Sequence, residues 1–180
     1  QPVNGVRVEG PGTVDGFFHG VNAEHMVGSV VTGLTIQRNQ HGLGLNRSQQ
    51  GDGSLSSGDS IVRNRFVQNM HHGISVNGGV SSVLLGNRAT GNGRGQFNGF
   101  GIYLYDATGI EVRHNEVVDN YKGGIVVSEA GGSHISYNQL DTKAAINKDY
   151  AAQQLRSDSK YKLADPSLLA GFHEWDDGIT

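Results

Sequence analysis

The sequence predicts an all-β solenoid, a parallel β-helix of about five to six coils. Three observations point there. Glycine is the first: 28 of 180 residues, roughly twice the average usage of about 7%, with only three prolines and no low-complexity run. Many glycines between short valine- and isoleucine-rich pieces read as strands joined by tight turns. A fixed period is the second. Asn64, Asn87, Asn115 and Asn138 fall in one column, and Asn39, Asn69, Asn92 and Asn120 in another, with steps of 23, 28 or 30 residues. The third is an apolar alternation behind a glycine, once per period: Gly20 before Val21/Ala23, Gly42 before Leu43/Leu45, Gly73 before Ile74/Val76, Gly101 before Ile102/Leu104 and Gly124 before Ile125/Val127. A repeat of 20 to 50 residues is the mark of stacked units.

Two more apolar columns complete each unit. Val31, Ile61, Leu84, Val112 and Ile135 form one; Ile36, Phe66, Ala89, Val117 and Leu140 form the other. The piece "IEVRHNEV" also fits a leucine-rich repeat, which needs a helical or leucine-rich return. The return here, "VDNYKGGIVVSEA", is glycine-broken and β-branched, so it reads as strand. About three strands and three turns then make each coil. Coils stack about 4.8 Å apart, so inward side chains form continuous columns. An asparagine at a bend tolerates left-handed geometry, and its amide can bond the same amide one coil away. The Asn64 column is accordingly assigned to structure, not to catalysis.

Two insertions interrupt the period. "SQQGDGSLSSGD" (48–59) and "GRGQFNGF" (93–100) are polar and glycine-rich, as surface loops are. After Leu140 the pattern stops. The chain divides at that point into a repeat domain, 1–141, and a non-repeating segment, 142–180, richer in helix formers and expected to cap the coil or form a tail. No cover is evident at the N-terminal end. Either upstream sequence or a partner surface is expected there, since open edges invite pairing.

The totals exclude several classes. A net charge of −3 lacks the basic stripe of a nucleic-acid binder. No apolar run is long enough to span a membrane as a helix. Zero cysteines removes thiolate and disulfide chemistry. No nucleophile elbow, phosphate loop or dinucleotide fingerprint is present. The chain starts at Gln1 without a visible signal peptide, which suggests a processed or trimmed start.

The repeat "GIxV…N-x-V-x-x-N" over roughly residues 6–141, with the opening "VEGPGTVDGF", resembles the right-handed parallel β-helix superfamily that includes pectate lyases, alginate epimerases and related polysaccharide-active proteins. That resemblance implies a right-handed coil, a secreted or cell-surface place and a polysaccharide substrate or ligand. It implies a lyase, epimerase or hydrolase working in a groove over the "GIxV" strands. The fold also hosts non-catalytic adhesin or sugar-binding modules and enzymes on small molecules. The dense aspartate cluster that holds calcium in pectate lyases is not evident. The Asp-Pro-His type of motif is absent, the one Asp-Pro being Asp165-Pro166, outside the repeat.

The "GIxV" face carries the candidate chemistry. Outward positions read Asn22, Gly44, Ser75, Tyr103 and Val126, then Glu24, Asn46, Asn77, Tyr105 and Ser128. Next come His25, Arg47, Gly78, Asp106 and Glu129; before the strands lie His19, His41, His72, Phe100 and Gly123. Tyrosines stack on sugar faces, while amides and acids bind hydroxyls. His72, Tyr103 and Tyr105 are the candidate base and acid for elimination. Asp106 and Glu129, 23 residues apart, are the candidate pair for hydrolysis. Calcium is the candidate ion for two such acids. His41, Asn46, Arg47, Asn77, Arg94 and Lys122 are candidate substrate-binding residues, with Arg47, Arg94, Arg113 and Lys122 able to neutralise a uronate. No metal is assigned to the histidine column, which lacks a close paired spacing. In "MHH" (70–72), alternation lets only one of His71 and His72 join the column. His114 and Arg113 read as surface residues of another edge.

Overall fold

Alternating short strands, each broken by a turn before it can lengthen, can hide their apolar side only by wrapping around a common interior. The computed structural model describes residues 2–48, 54–93 and 99–141, and in these every regular element is a strand. Every pairing is parallel, and each strand pairs with its equivalent one period away. His19–Glu24, His41–Asn46, Ile74–Asn77, Ile102–Tyr105 and Ile125–Ser128 make a five-stranded sheet, the first wall of the coil. A second wall runs Ser60–Val62, Val83–Leu85, Glu111–Arg113 and His134–Ser136; a third runs Arg65–Val67, Arg88–Thr90, Glu116–Val118 and Gln139–Asp141. The long strands Arg7–Asp15 and Val30–Gln37 cross the corner between these two walls and join them into one sheet. Val3–Asn4, Met26–Val27, Ser56–Ser57 and Gly79–Val80 form a narrow strip along the remaining corner.

The register reproduces the apolar columns read from the sequence. Leu43, Ile74, Ile102 and Ile125 stack directly, as do Leu45, Val76, Leu104 and Val127. They are buried together with Val31, Ile61, Leu84 and Val112 and with Ile36, Phe66, Ala89 and Val117. Burying one such side chain contributes about 1.5–3 kcal/mol. The glycine column has a steric cause. A Cβ on Gly42 would lie 2.1 Å from the Gly73 carbonyl oxygen, and one on Gly101 would lie 2.2 Å from Val117 Cγ1. The first wall passes too close to its neighbours to admit a side chain there.

Both asparagine columns are hydrogen-bonded ladders. Asn64 Nδ2 donates to Asn87 Oδ1 (3.2 Å), Asn87 Nδ2 to Asn115 Oδ1 (3.0 Å) and Asn115 Nδ2 to Asn138 Oδ1 (3.0 Å). The Asn39, Asn69, Asn92 and Asn120 ladder repeats the pattern. One expectation is corrected. The left-handed residue is not the asparagine but the one before it: Arg63, Gly86, His114 and Tyr137 on one column, Arg38, Gln68, Gly91 and Asp119 on the other. That positive-φ step turns the strand and aims the next side chain inward, where its amide meets the coils on either side. The left-handed residue points outward, so its own side chain is free to vary.

A third polar column was not anticipated. The Ser29 backbone N–H donates to Asp59 Oδ1 (2.8 Å), and the Asp59 N–H donates to Ser82 Oγ (3.1 Å). Asp59 is fully buried, and its Oδ2 has no hydrogen-bond partner among the described residues. Burial pushes this carboxyl above its ordinary value, opposed by the Ser29 N–H. The expected cap or tail at 142–180, most of the 93–100 insertion and the centre of the 48–59 insertion lie outside the described residues.

Candidate functional site

The two outward columns of the first wall stack as the sequence places them, with Ser75 beside Tyr103 and Asn77 beside Tyr105. The last strand differs from expectation. Its outward residues, Val126 and Ser128, are buried, so the accessible part of the face ends at the tyrosines. At the near end, Asn46 folds over Gly44 and its Nδ2 donates to Asn22 Oδ1 (2.9 Å); Asn22 in turn donates to Glu24 Oε1 (3.0 Å). Asn77 Oδ1 is buried and has no hydrogen-bond partner among the described residues.

Along the edge where these strands begin, rings form a continuous file. Phe18 meets His19 (centroids 4.7 Å apart), His19 stacks on His41 (4.9 Å), His41 meets His71 edge-on (4.9 Å) and His71 lies against His72 (3.9 Å). His72 stacks on Tyr103 (4.8 Å) and on Phe100 (5.5 Å), and Tyr103 lies parallel to Tyr105 at 6.2 Å. Both histidines of "MHH" therefore belong to the file. Alternation fails there because residues 70–72 are a bend, not extended strand. Phe18 and His71 are the members that sequence reasoning missed. The signal for Phe18 was its place next to His19; for His71 it was only the doubled histidine.

The histidines differ in electrostatics. His72 is buried, and its Nδ1 accepts the Phe100 backbone N–H (3.1 Å), which leaves the proton on Nε2. Burial holds its pKa well below the ordinary value, reinforced by His71, His41 and Lys122. His41 is lowered by burial and then by His71 and His19; His71 is lowered by burial and then by the Lys122 charge. All three rings are thus kept neutral near neutral pH. His72 keeps its place among the candidates, but its acceptor nitrogen is already engaged.

The acids sit at the opposite edge. Asp106 and Glu129 occupy the same left-handed corner one coil apart (φ 45° and 54°), and the Asp106 N–H donates to the Ser128 carbonyl (3.1 Å). Asp106 is ion-paired with Arg47, two coils away. Gly78 lies between them, and a Cβ there would come within 3.0 Å of Arg47 Nε. The missing side chain is what lets the arginine reach across. Arg47 and Asp106 thus pair with each other across the face. Lys122 stands beside the histidines, its charge felt at His71 and His72. Arg113 pairs with Glu111 (3.1 Å) and His114 stacks on Tyr137 (5.3 Å), both on another edge. Arg94 lies outside the described residues. Among the described residues no three His, Asp or Glu side chains gather where they could hold a metal ion, calcium included.

Against known proteins, the family described as "Periplasmic copper-binding protein (NosD)" matches residues 12–154. A periplasmic family is compatible with the secreted or cell-surface place expected above. A 60-residue stretch is 50% identical to terephthalate 1,2-dioxygenase, terminal oxygenase component subunit alpha 2, from Comamonas sp; it covers 33% of this chain and 14% of that protein. The structure of trypsin-treated QnrB1, a plasmid-mediated fluoroquinolone resistance protein, aligns over 75% of this chain and 68% of its own at 8% identity, with a TM-score of 0.20. A superposition that weak carries no argument.

Proposed function

The chain belongs to the NosD family, a family of right-handed parallel β-helices, and we propose that it is a carbohydrate-binding β-helix that holds an extended sugar chain along its ring-lined edge. The observation behind this is the unbroken file from Phe18 to Tyr105. A sugar offers apolar C–H faces and a rim of hydroxyls. Aromatic side chains suit the first, and convergent amides and acids suit the second. Both are present, with Asn22, Glu24, Asn46 and Asn77 running beside the rings. The file crosses four strands, about 14 Å at the usual strand spacing, which suits a chain of several sugars better than one small molecule.

The engagements within the face favour holding over turnover. Elimination or epimerisation needs a base with an open acceptor. His72 Nδ1 is taken by the Phe100 N–H, which leaves the proton on its Nε2. Hydrolysis needs two carboxylates released for work, and Asp106 is tied to Arg47. The test is affinity electrophoresis through neutral and acidic polysaccharides. Unsaturated-product absorbance and reducing ends are followed in the same samples. Retardation by at least one polymer, without either product, is expected. Both products rising together would replace this reading with a lyase, and reducing ends alone with a hydrolase. No retardation by any polymer would refute it.

A further inference from the structure

One device occurs twice on the coil, with different endings. On the first wall Arg47 crosses Gly78, a left-handed glycine, and pairs with Asp106. At the corner between the second and third walls Arg63 runs over Gly86, likewise left-handed (φ 63°). Its Cγ lies 3.7 Å from the place a Cβ on that glycine would take. The next residue of that column is His114, not an acid. Arg65 follows on the same turn and faces Arg88 directly across the sheet. Like charges so placed repel. Arg63 and Arg65 are exposed, and neither side chain has an ion pair or hydrogen bond among the described residues. Arg88 and Arg113, one and two coils further on, pair with Glu116 (3.3 Å) and Glu111 (3.1 Å). Such exposed pairs contribute little, so either arginine can exchange its acid for a stronger anion at small cost. Four arginines thus line one corner over two coil steps, about 10 Å along the axis. Set against these two glutamates, they leave two positive charges uncompensated, on a chain whose net charge is −3.

We propose that this corner binds a polysaccharide carrying sulfate or phosphate esters, laid along the coil axis. Guanidinium forks match oxyanions through paired N–H bonds. Arg63 stands on the corner itself, Arg65 and Arg88 on the third-wall side and Arg113 on the second-wall side. Donors therefore approach from several directions. A tetrahedral ester offers oxygens to all of them, whereas a planar carboxylate offers two in one plane. The spread along the axis suits a chain of repeated charges better than a single ion. A flexible chain can also drape over a convex corner, where a flat membrane would touch only the crest. The ring-lined edge belongs to the first wall, so this proposal does not rest on the sugar-binding reading of that edge.

The test titrates the full chain, at physiological salt, with dextran sulfate, phosphorylated dextran, unmodified dextran and inorganic sulfate. Affinity is read by calorimetry and the place of binding by backbone resonances. Binding of at least one ester polymer but not of plain dextran is expected, with shifts at Arg63, Arg65, Gly86 and Arg88 and none at His72 or Tyr103. Arg63→Gln combined with Arg65→Gln should weaken binding at least tenfold and flatten its salt dependence, with an unchanged circular dichroism spectrum. His114→Asp gives Arg63 the acid that Arg47 already has, and should weaken binding too. Arg7→Gln, in the first coil, should bind like the parent. Undiminished binding in the double variant would overturn the assignment, as would equal binding of plain dextran or no binding of either ester polymer. Inorganic sulfate bound as tightly as the polymers would make this a free-ion site. Sedimentation with phosphatidylglycerol vesicles, without polymer binding, would make it a membrane contact. Either result would also overturn the proposal.

Discussion

Replacing Asn92 by alanine removes one rung from the middle of a ladder, and the structure sets the cost. Asn92 Oδ1 accepts from the Asn69 backbone N–H (3.1 Å) and from Asn69 Nδ2 (2.9 Å). Its own Nδ2 donates to the Phe66 carbonyl (3.0 Å) and to Asn120 Oδ1 (2.9 Å). All four are lost. Asn69 Nδ2 keeps the Ile36 carbonyl, and Asn120 Oδ1 keeps the Asn92 backbone N–H. The Asn69 N–H, fully buried, loses its acceptor. At about 0.5–1.5 kcal/mol for each of the three ordinary bonds and about 1–3 kcal/mol for the stranded donor, the expected cost is about 2.5–7.5 kcal/mol. Asn138→Ala is the internal control. It sits at the half-exposed end of the other ladder, where its Oδ1 accepts the Asn115 N–H and Nδ2 and its Nδ2 donates to the Val112 carbonyl; with one bond fewer and its side open to solvent, a smaller loss of about 1–3 kcal/mol is expected. Urea denaturation followed by circular dichroism reads both, and hydrogen exchange at the Asn69 amide gives a local check. A loss below about 1 kcal/mol for Asn92→Ala, or equal losses at the two positions, would refute the ladder as a source of stability.

Three further outcomes are expected. Asp59 has a folded pKa raised above its ordinary 3.8, so its stabilising contribution is present below the unfolded value and is lost as pH rises through the folded one. Asp59→Asn should therefore match the parent under acid and melt higher near neutral pH; parallel melting curves at both pH values would contradict this. Gly42→Ala drives a Cβ to 2.1 Å from the Gly73 carbonyl oxygen and should cost about 2–3 kcal/mol by overpacking, seen as a lower denaturation midpoint; an unchanged midpoint would show that the wall can shift. His72→Phe keeps the stacked ring but removes the acceptor for the Phe100 N–H. Retained polysaccharide retardation is expected, with stability about 1–3 kcal/mol lower, and loss of retardation would assign His72 a direct role in binding.

Most of the coil was legible because stacking turns sequence period into spatial neighbourhood. Ile61, Leu84 and Val112 share a column in the sequence and a column in space for one reason, and so do Asn46, Asn77 and Tyr105. What lay beyond reach depends on side-chain length and on backbone turns inside the period. Arg47, Gly78 and Asp106 could be aligned, but not that the arginine would cross the glycine to pair with the acid. The alternation rule separated His71 from His72, and the bend at 70–72 undoes it. The left-handed residue could not be separated from the asparagine after it, because both belong to the same turn signal. Asp59 did leave a trace: Ser29, Ser82 and Ser133 occupy the equivalent place in other coils, and an acid among serines marks it out.

The most direct test of the proposed sugar-binding edge is to map it. A soluble oligosaccharide from the best-retarding polymer would be titrated into isotope-labelled protein, and backbone and ring resonances followed. The expected shifts run from Phe18 through His41 and His72 to Tyr103 and Tyr105, and Tyr103→Ala with Tyr105→Ala should lower affinity at least tenfold. Shifts confined to the wall that carries Arg65, Arg88 and Glu116, or full affinity in the double variant, would place binding elsewhere and contradict the assignment.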